Sequence, residues 1–112
     1  MQDSFNTAIL VALGGSKDAD LTKEHLDELA FLAETAGIKT MKRFVQNLPH
    51  PDPRSFVGKG KLAEIKDYIH AHHIRNVIFD EDLSPSQLRN LEKELNPKDA
   101  VEGQQVKIYD RS

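Results

Sequence analysis

Two glycines and two lysines stand together in Phe56-Val57-Gly58-Lys59-Gly60-Lys61-Leu62, where an apolar passage meets a helical pattern. Glycine lets neighbouring backbone N–H groups converge on one point, and a helix start adds partial positive charge that the lysines reinforce. That chemistry suits an anion, above all a phosphate. It is not a P-loop, because the G-x-x-x-x-G-K pattern closed by Ser or Thr is absent and Leu62 occupies the place of the magnesium-binding hydroxyl. Nucleotide hydrolysis by this chain alone is therefore not expected. A tight loop that sets the angle of the following helix accounts for the same residues, and the two roles are compatible.

The lysines belong to a longer basic block. Between residues 39 and 61 stand Lys39, Lys42, Arg43, Arg54, Lys59 and Lys61 against a single acid, Asp52, in a chain whose net charge is −3. An acidic protein with one basic block does not coat nucleic acid indiscriminately, yet it presents a local cationic face to a polyanion. Arg54, Lys59 and Lys61 are the first candidates for phosphate contact, with Lys39, Lys42 and Arg43 behind them. Gly58 and Gly60 are expected to permit close backbone approach.

Other chemistries are weaker. Gly14-Gly15-Ser16-Lys17 follows an apolar strand, as the first turn of a dinucleotide fold does, but the third glycine and the ribose carboxylate are missing. Asp80, Glu81 and Asp82 resemble in position the acidic pocket of a phosphoacceptor domain, whose partner carboxylates after strand one and lysine after strand five have no counterpart. His25, His50, His70, His72 and His73 share no metal-ligand spacing with a carboxylate, and the last three cluster at a helix end, where a capping role fits. No G-x-S-x-G is present and every serine reads as loop or cap. No metal site and no catalytic residue is expected.

These residues need elements to place them. Thr7 to Leu13 is a continuous apolar run ended by Gly14-Gly15, the pattern of a strand buried on both faces. From Asp20 to Ala36 the positions Leu21, Leu26, Leu29, Ala30, Leu32, Ala33 and Ala36 form a broad apolar helical stripe, closed by Gly37 as a left-handed cap. Ile38 to Gln46 reads as an edge strand whose lysines discourage intermolecular pairing. Three alternate prolines between Leu48 and Ser55 make a stiff exposed loop.

A second helix runs from Lys59 to His72, with Leu62, Ile65, Tyr68 and Ile69 inward, and a third strand from Ile74 to Phe79. The third helix is announced by Ser84 as N-cap, Pro85 at the first helical position and Gln87 completing a capping box; Leu88, Leu91 and Leu95 mark its buried stripe. Asn96-Pro97 ends it, and Gln105 to Tyr109 reads as a short fourth strand. Strand, helix, strand, helix, strand, helix, strand predicts a three-layer α/β sandwich, with a four-stranded parallel sheet ordered 2-1-3-4 and helices on both faces.

With 112 residues the chain fits one α/β domain, residues 1–112, large enough for a core without staples. It has no cysteine, which agrees with a reducing compartment, and the cytoplasm is the default location. No apolar run approaches the roughly 20 residues that span a bilayer, and Met1 to Ser4 lacks the order of a signal peptide.

Leu26-Asp-Glu-Leu-Ala-Phe-Leu-Ala-Glu-Thr-Ala-Gly37, Phe56-Val-Gly-Lys-Gly-Lys-Leu-Ala-Glu-Ile65, Val77 to Lys93 and Asp110-Arg111, in this order, resemble the amino-terminal domain of HflX-family GTPases. One departure is the connection from Asn96 to Gln104, which looks inserted. The resemblance implies that a helical hairpin and a GTP-binding domain with its P-loop follow the counterpart of Asp110-Arg111, so the chain is expected to be part of a longer protein. It implies contact with the large ribosomal subunit and its rRNA, in ribosome splitting or rescue, with GTP and magnesium bound by the separate GTPase domain. Arg89 and Asn90 are then expected to face the hairpin or GTPase domain. It also keeps open an adenine-nucleotide or small-ligand regulatory site at Gly14, Gly15, Ser16 and Lys17, and a purely structural role in orienting the GTPase domain.

Overall fold

The computed structural model describes residues 6–14, 19–96 and 105–110. Seven elements follow one another: β1 (Thr7–Leu13), α1 (Ala19–Thr35), β2 (Lys39–Gln46), α2 (Lys59–His72), β3 (Asn76–Phe79), α3 (Pro85–Leu95) and β4 (Lys107–Tyr109). All strand pairs are parallel and the sheet order is β2-β1-β3-β4, the topology expected from the sequence.

β1 sets this order. Ala8 to Ala12 are buried on both faces. Ile9 and Val11 join Val77, Phe79, Ile65, Ile69, Leu91 and Leu95 in the larger core, beneath α2 and α3. Leu10 and Ala12 turn the other way, into a smaller cluster with Leu26 of α1. A right-handed crossover through α1 leads outward to β2, and the crossover through α2 returns past β1 to β3, which places the helices on opposite faces.

The expected stripe on α1 is only partly realised. Leu26 and Ala33 are buried, Leu29 and Ala30 half-buried, while Leu21, Leu32 and Ala36 are exposed. The reason is geometric: a single helix covers this face and packs on β1 and β2, so an apolar arc broader than its contact line stays in water. On the opposite face two helices share the cover, and there Leu62, Tyr68 and Leu83 pack against the core as half-buried neighbours. Leu88 is half-buried as well; Gln87 is the buried residue the apolar pattern omits.

Local chemistry fixes the ends. Gly37 adopts φ 83° and closes α1 in a Schellman motif, Ile38 N–H donating to the Ala33 carbonyl at 2.9 Å. α2 ends instead on His73 at φ 55°, a torsion that histidine tolerates better than most side chains. The Ser84 hydroxyl accepts from Gln87 N–H at 3.1 Å while the Gln87 amide oxygen accepts from Ser84 N–H at 2.8 Å, the reciprocal box expected at α3. β4 is shorter than expected because Asn96 Oδ1 takes the Val106 N–H at 2.6 Å, so sheet pairing begins only at Lys107.

Leu91, fully buried beneath the sheet, tests this packing. Leu91→Ala should cost about 2–5 kcal/mol of unfolding free energy, read from chemical denaturation. A loss below about 1 kcal/mol would contradict the core described above.

Candidate cationic site

The loop between β2 and α2 is built from its own hydrogen bonds. Asp52 and Phe56 form an antiparallel bridge, with Phe56 N–H donating to the Asp52 carbonyl at 2.8 Å and Asp52 N–H to the Phe56 carbonyl at 3.0 Å. Asp52 Oδ1 accepts from the N–H groups of Arg54 and Ser55, at 2.8 and 3.2 Å, which folds the segment back on itself. Val57 N–H then donates to the Ser55 carbonyl at 2.7 Å, a γ-turn centred on Phe56 at φ 71°.

That torsion costs a side-chain-bearing residue roughly 1–3 kcal/mol. Burial offsets it. The Phe56 ring is 1% exposed and meets Phe79 edge to face, with centroids 5.3 Å apart. The left-handed torsion thus falls on a phenylalanine. Gly58 has an ordinary φ of −70°, and the absence of its Cβ admits the Gln46 side chain, whose Oε1 accepts Gly58 N–H at 2.9 Å.

Helix α3 braces the loop from the other side. Gln87 Nε2 donates to the Asp52 carbonyl at 2.8 Å, and Asn90 Nδ2 to the Arg54 carbonyl at 3.0 Å. Asn90 is thereby engaged within the loop's own support, whereas the neighbouring Arg89 is exposed. Nothing in the apolar pattern of α3 signals these two braces; the contact of their amides with a loop some 35 residues away exists only in the fold.

On this frame Arg54 and Lys59 line one groove of about 420 Å³ between the loop, α2 and α3, with Leu62 and Ala63 in its wall and Glu94 opposite. Lys66 joins them. It lies seven residues beyond Lys59, hence on the same helical face, a spacing that would have marked it in the sequence. Lys61 sits a little apart and pairs with Glu64 at 3.4 Å. Gly58 caps α2 without a side-chain bond, so the opening N–H groups of the helix have no intrahelical acceptor and carry its positive end. Gly60 would place an added Cβ in open space.

The other three bases lie elsewhere. Arg43 Nη1 is 2.7 Å from Asp27 Oδ1, on the α1 side of the sheet. Lys42 Nζ stands 5.5 Å from the ring centroids of both Phe44 and Tyr68, on the α2 side. Lys39, Lys42 and Arg43 line a separate groove along the outer edge of β2. The basic block of the sequence is therefore two surfaces, one at the loop and one at the sheet edge.

At the turn after β1, Gly14 N–H donates to the Gln46 carbonyl at 3.0 Å and is committed to the sheet. Gly15, Ser16 and Lys17 lie outside the described residues, as does the connection 97–104. Asp80, 8% exposed, gives its N–H to the Val11 carbonyl, and His25 Nδ1 lies 3.9 Å from its Oδ2. Among the described residues no group of three or more His, Cys, Asp or Glu could hold a metal ion, and no helix is long and apolar enough to cross a membrane.

Fold and site together define a doubly wound, four-stranded α/β domain that carries a braced cationic loop at the start of its second helix. The pattern of the family described as GTP-binding GTPase N-terminal matches residues 23–112, and the chain belongs to that family. Three similar proteins carry the name GTPase HflX. The one from Flavobacterium psychrophilum is 38% identical over 96 residues, that from Lacrimispora saccharolytica 42% over 90, and that from Escherichia coli K12 36% over 91. These alignments take in 85%, 80% and 81% of this chain, but only 23%, 21% and 21% of the respective relatives.

Two outcomes check the site. Gln87→Ala removes both the capping partner and the brace on Asp52; unfolding free energy should fall by about 1–3 kcal/mol, with faster amide exchange in residues 52–58. Arg43, with Lys23 beside it, holds the Asp27 carboxyl below its ordinary 3.8 despite some opposing desolvation. A lowered native value means that this pair's contribution is present above the unfolded value and is lost as pH falls through the native one. Arg43→Ala should move the Asp27 carboxyl back toward 3.8 in a ¹³C-detected titration.

Proposed function

We propose that this chain is the ribosome-contacting amino-terminal domain of a GTP-binding protein, that it performs no catalysis, and that it presents Arg54, Lys59, Lys61 and Lys66 to the phosphates of rRNA while orienting the GTPase domain. GTP and magnesium belong to that other domain in this reading. Membership of the GTPase N-terminal family and the name of the relatives support the parent's class. The single observation that carries the contact is the braced loop, which sets Arg54 and Lys59 beside the open N–H groups of α2.

Such a surface contacts phosphate without reading sequence, and pre-ordering of the loop lowers the entropy lost on docking. Lys39, Lys42 and Arg43 line the separate groove at the sheet edge, outside this loop surface. Close approach of a phosphate chain is easiest at Gly60, where nothing stands in the way.

Sedimentation with large ribosomal subunits across a salt series tests the assignment, in the full-length parent because its remaining domains supply avidity. Replacing Arg54, Lys59 and Lys61 together by glutamine should weaken binding and lower the slope of log affinity against log salt by about 2–3. Gly60→Ala should leave unfolding free energy within about 1 kcal/mol of the starting value while also weakening binding. Wild-type affinity and slope in the triple variant would remove the loop from the contact.

A further inference from the structure

The outer edge of β2 is an open sheet edge among the described residues. β2 is the longest strand and pairs on one side only, with β1. Gln46 turns its carbonyl to Gly14 beside β1, so the alternation of a β-strand turns the N–H and C=O groups of Arg43 and Val45 outward. A groove of about 690 Å³ runs along this edge, lined by Ala30, Glu34, Ile38, Lys39, Met41 and Lys42 among others.

The helices on both faces of the sheet carry an aromatic residue on the flank that faces this edge. On the α1 side, Phe31 shares a helical flank with Asp27, which holds Arg43, and with Glu34, which lines the groove; its side chain is 64% exposed. Met41 and Val45 are exposed apolar residues of the strand itself. On the α2 side, the Tyr68 hydroxyl donates to the Met41 carbonyl at 3.4 Å, and Lys42 lies over the Tyr68 ring. Lys39 shares that side, since its register partner Thr7 alternates with the core residues Ile9 and Val11.

We propose that this edge docks an extended polypeptide segment of another protein as a fifth strand, with acidic side chains facing Lys39 and Lys42 on the α2 side and apolar ones lodging under Phe31 on the α1 side. Main-chain pairing supplies the affinity and the two lysines select the charge. A second copy of β2 is a poor occupant, because the strand carries three bases and no acid, and self-pairing would set like charges opposite one another. The slot is separate from the loop surface and does not depend on the ribosomal reading.

The probe is an octapeptide of alternating glutamate and valine with blocked ends, titrated into the ¹⁵N-labelled 112-residue chain. Saturable shifts at Lys42, Arg43 and Val45 are expected, at least about tenfold weaker for Lys42→Glu and for a lysine–valine peptide. N-methylation of the glutamate amides and of the valine amides blocks opposite edges of the peptide strand; one of the two peptides should lose binding and the other keep it. Equal binding by both would reduce the contact to charge and overturn the proposal. So would shifts confined to residues 54–61, tighter binding of oligouridylate than of the peptide at β2, or dimerisation abolished by Lys42→Glu. Lys39→Glu, on the exposed strand start, gives an independent variant should Lys42→Glu not fold.

Discussion

Between Ala8 and Ala12 the first strand has no polar side chain, and neither of its faces can be left in water. From that constraint the rest follows. A helix must cover each face, so the crossover through α1 leads from β1 out to β2 and that through α2 returns past β1 on the other face, and β1 comes to lie between β2 and β3. The two faces are then covered unequally. Two helices and the loop aromatics seal one core, while α1 alone shields the other. The exposed leucines and the phenylalanine of α1 are the consequence of that asymmetry.

The cationic loop depends on the better-sealed core. Phe56 holds a backbone torsion ordinarily left to glycine because its ring is buried against Phe79, and removing the ring from water is worth more than the strain costs. Gln46 from β2, and Gln87 and Asn90 from α3, then satisfy loop groups from two sides, at distances of 2.8 to 3.0 Å. Arg54 and Lys59 are therefore carried on a hydrogen-bonded support. Side-chain amides do this work well, since each can donate and accept with no charge to desolvate.

Charge close in sequence is not charge close in space. The bases of the β2 strand divide between the two sides of the sheet, Arg43 meeting Asp27 on the α1 side while Lys39 and Lys42 lie on the α2 side, Lys42 beside aromatic rings. Arg54 of the loop and Lys59 and Lys66 of α2 follow a helical and turn geometry and gather in one groove, while Lys61 stands apart, paired with Glu64. Charge of the same sign is thus presented in two geometries, a groove beside the loop and α2 and a linear sheet edge. The chain spans about a fifth of the length of the relatives named GTPase HflX.

Apolar periodicity, proline and glycine punctuation and the capping box of α3 sufficed to give the elements, the parallel sheet and its order, because these are local rules or follow from covering β1 on both sides. The glycine-lysine segment was legible as a cationic helix start for the same reason. What only the tertiary structure decided were the pairings between distant residues. The positive torsion of the loop fell on Phe56, Asn90 was claimed by the Arg54 carbonyl, Lys66 entered the groove, and the basic block divided in two. Each of these is fixed by which surfaces meet across the core, and that is a property of the packed layers, which no window of neighbouring residues contains.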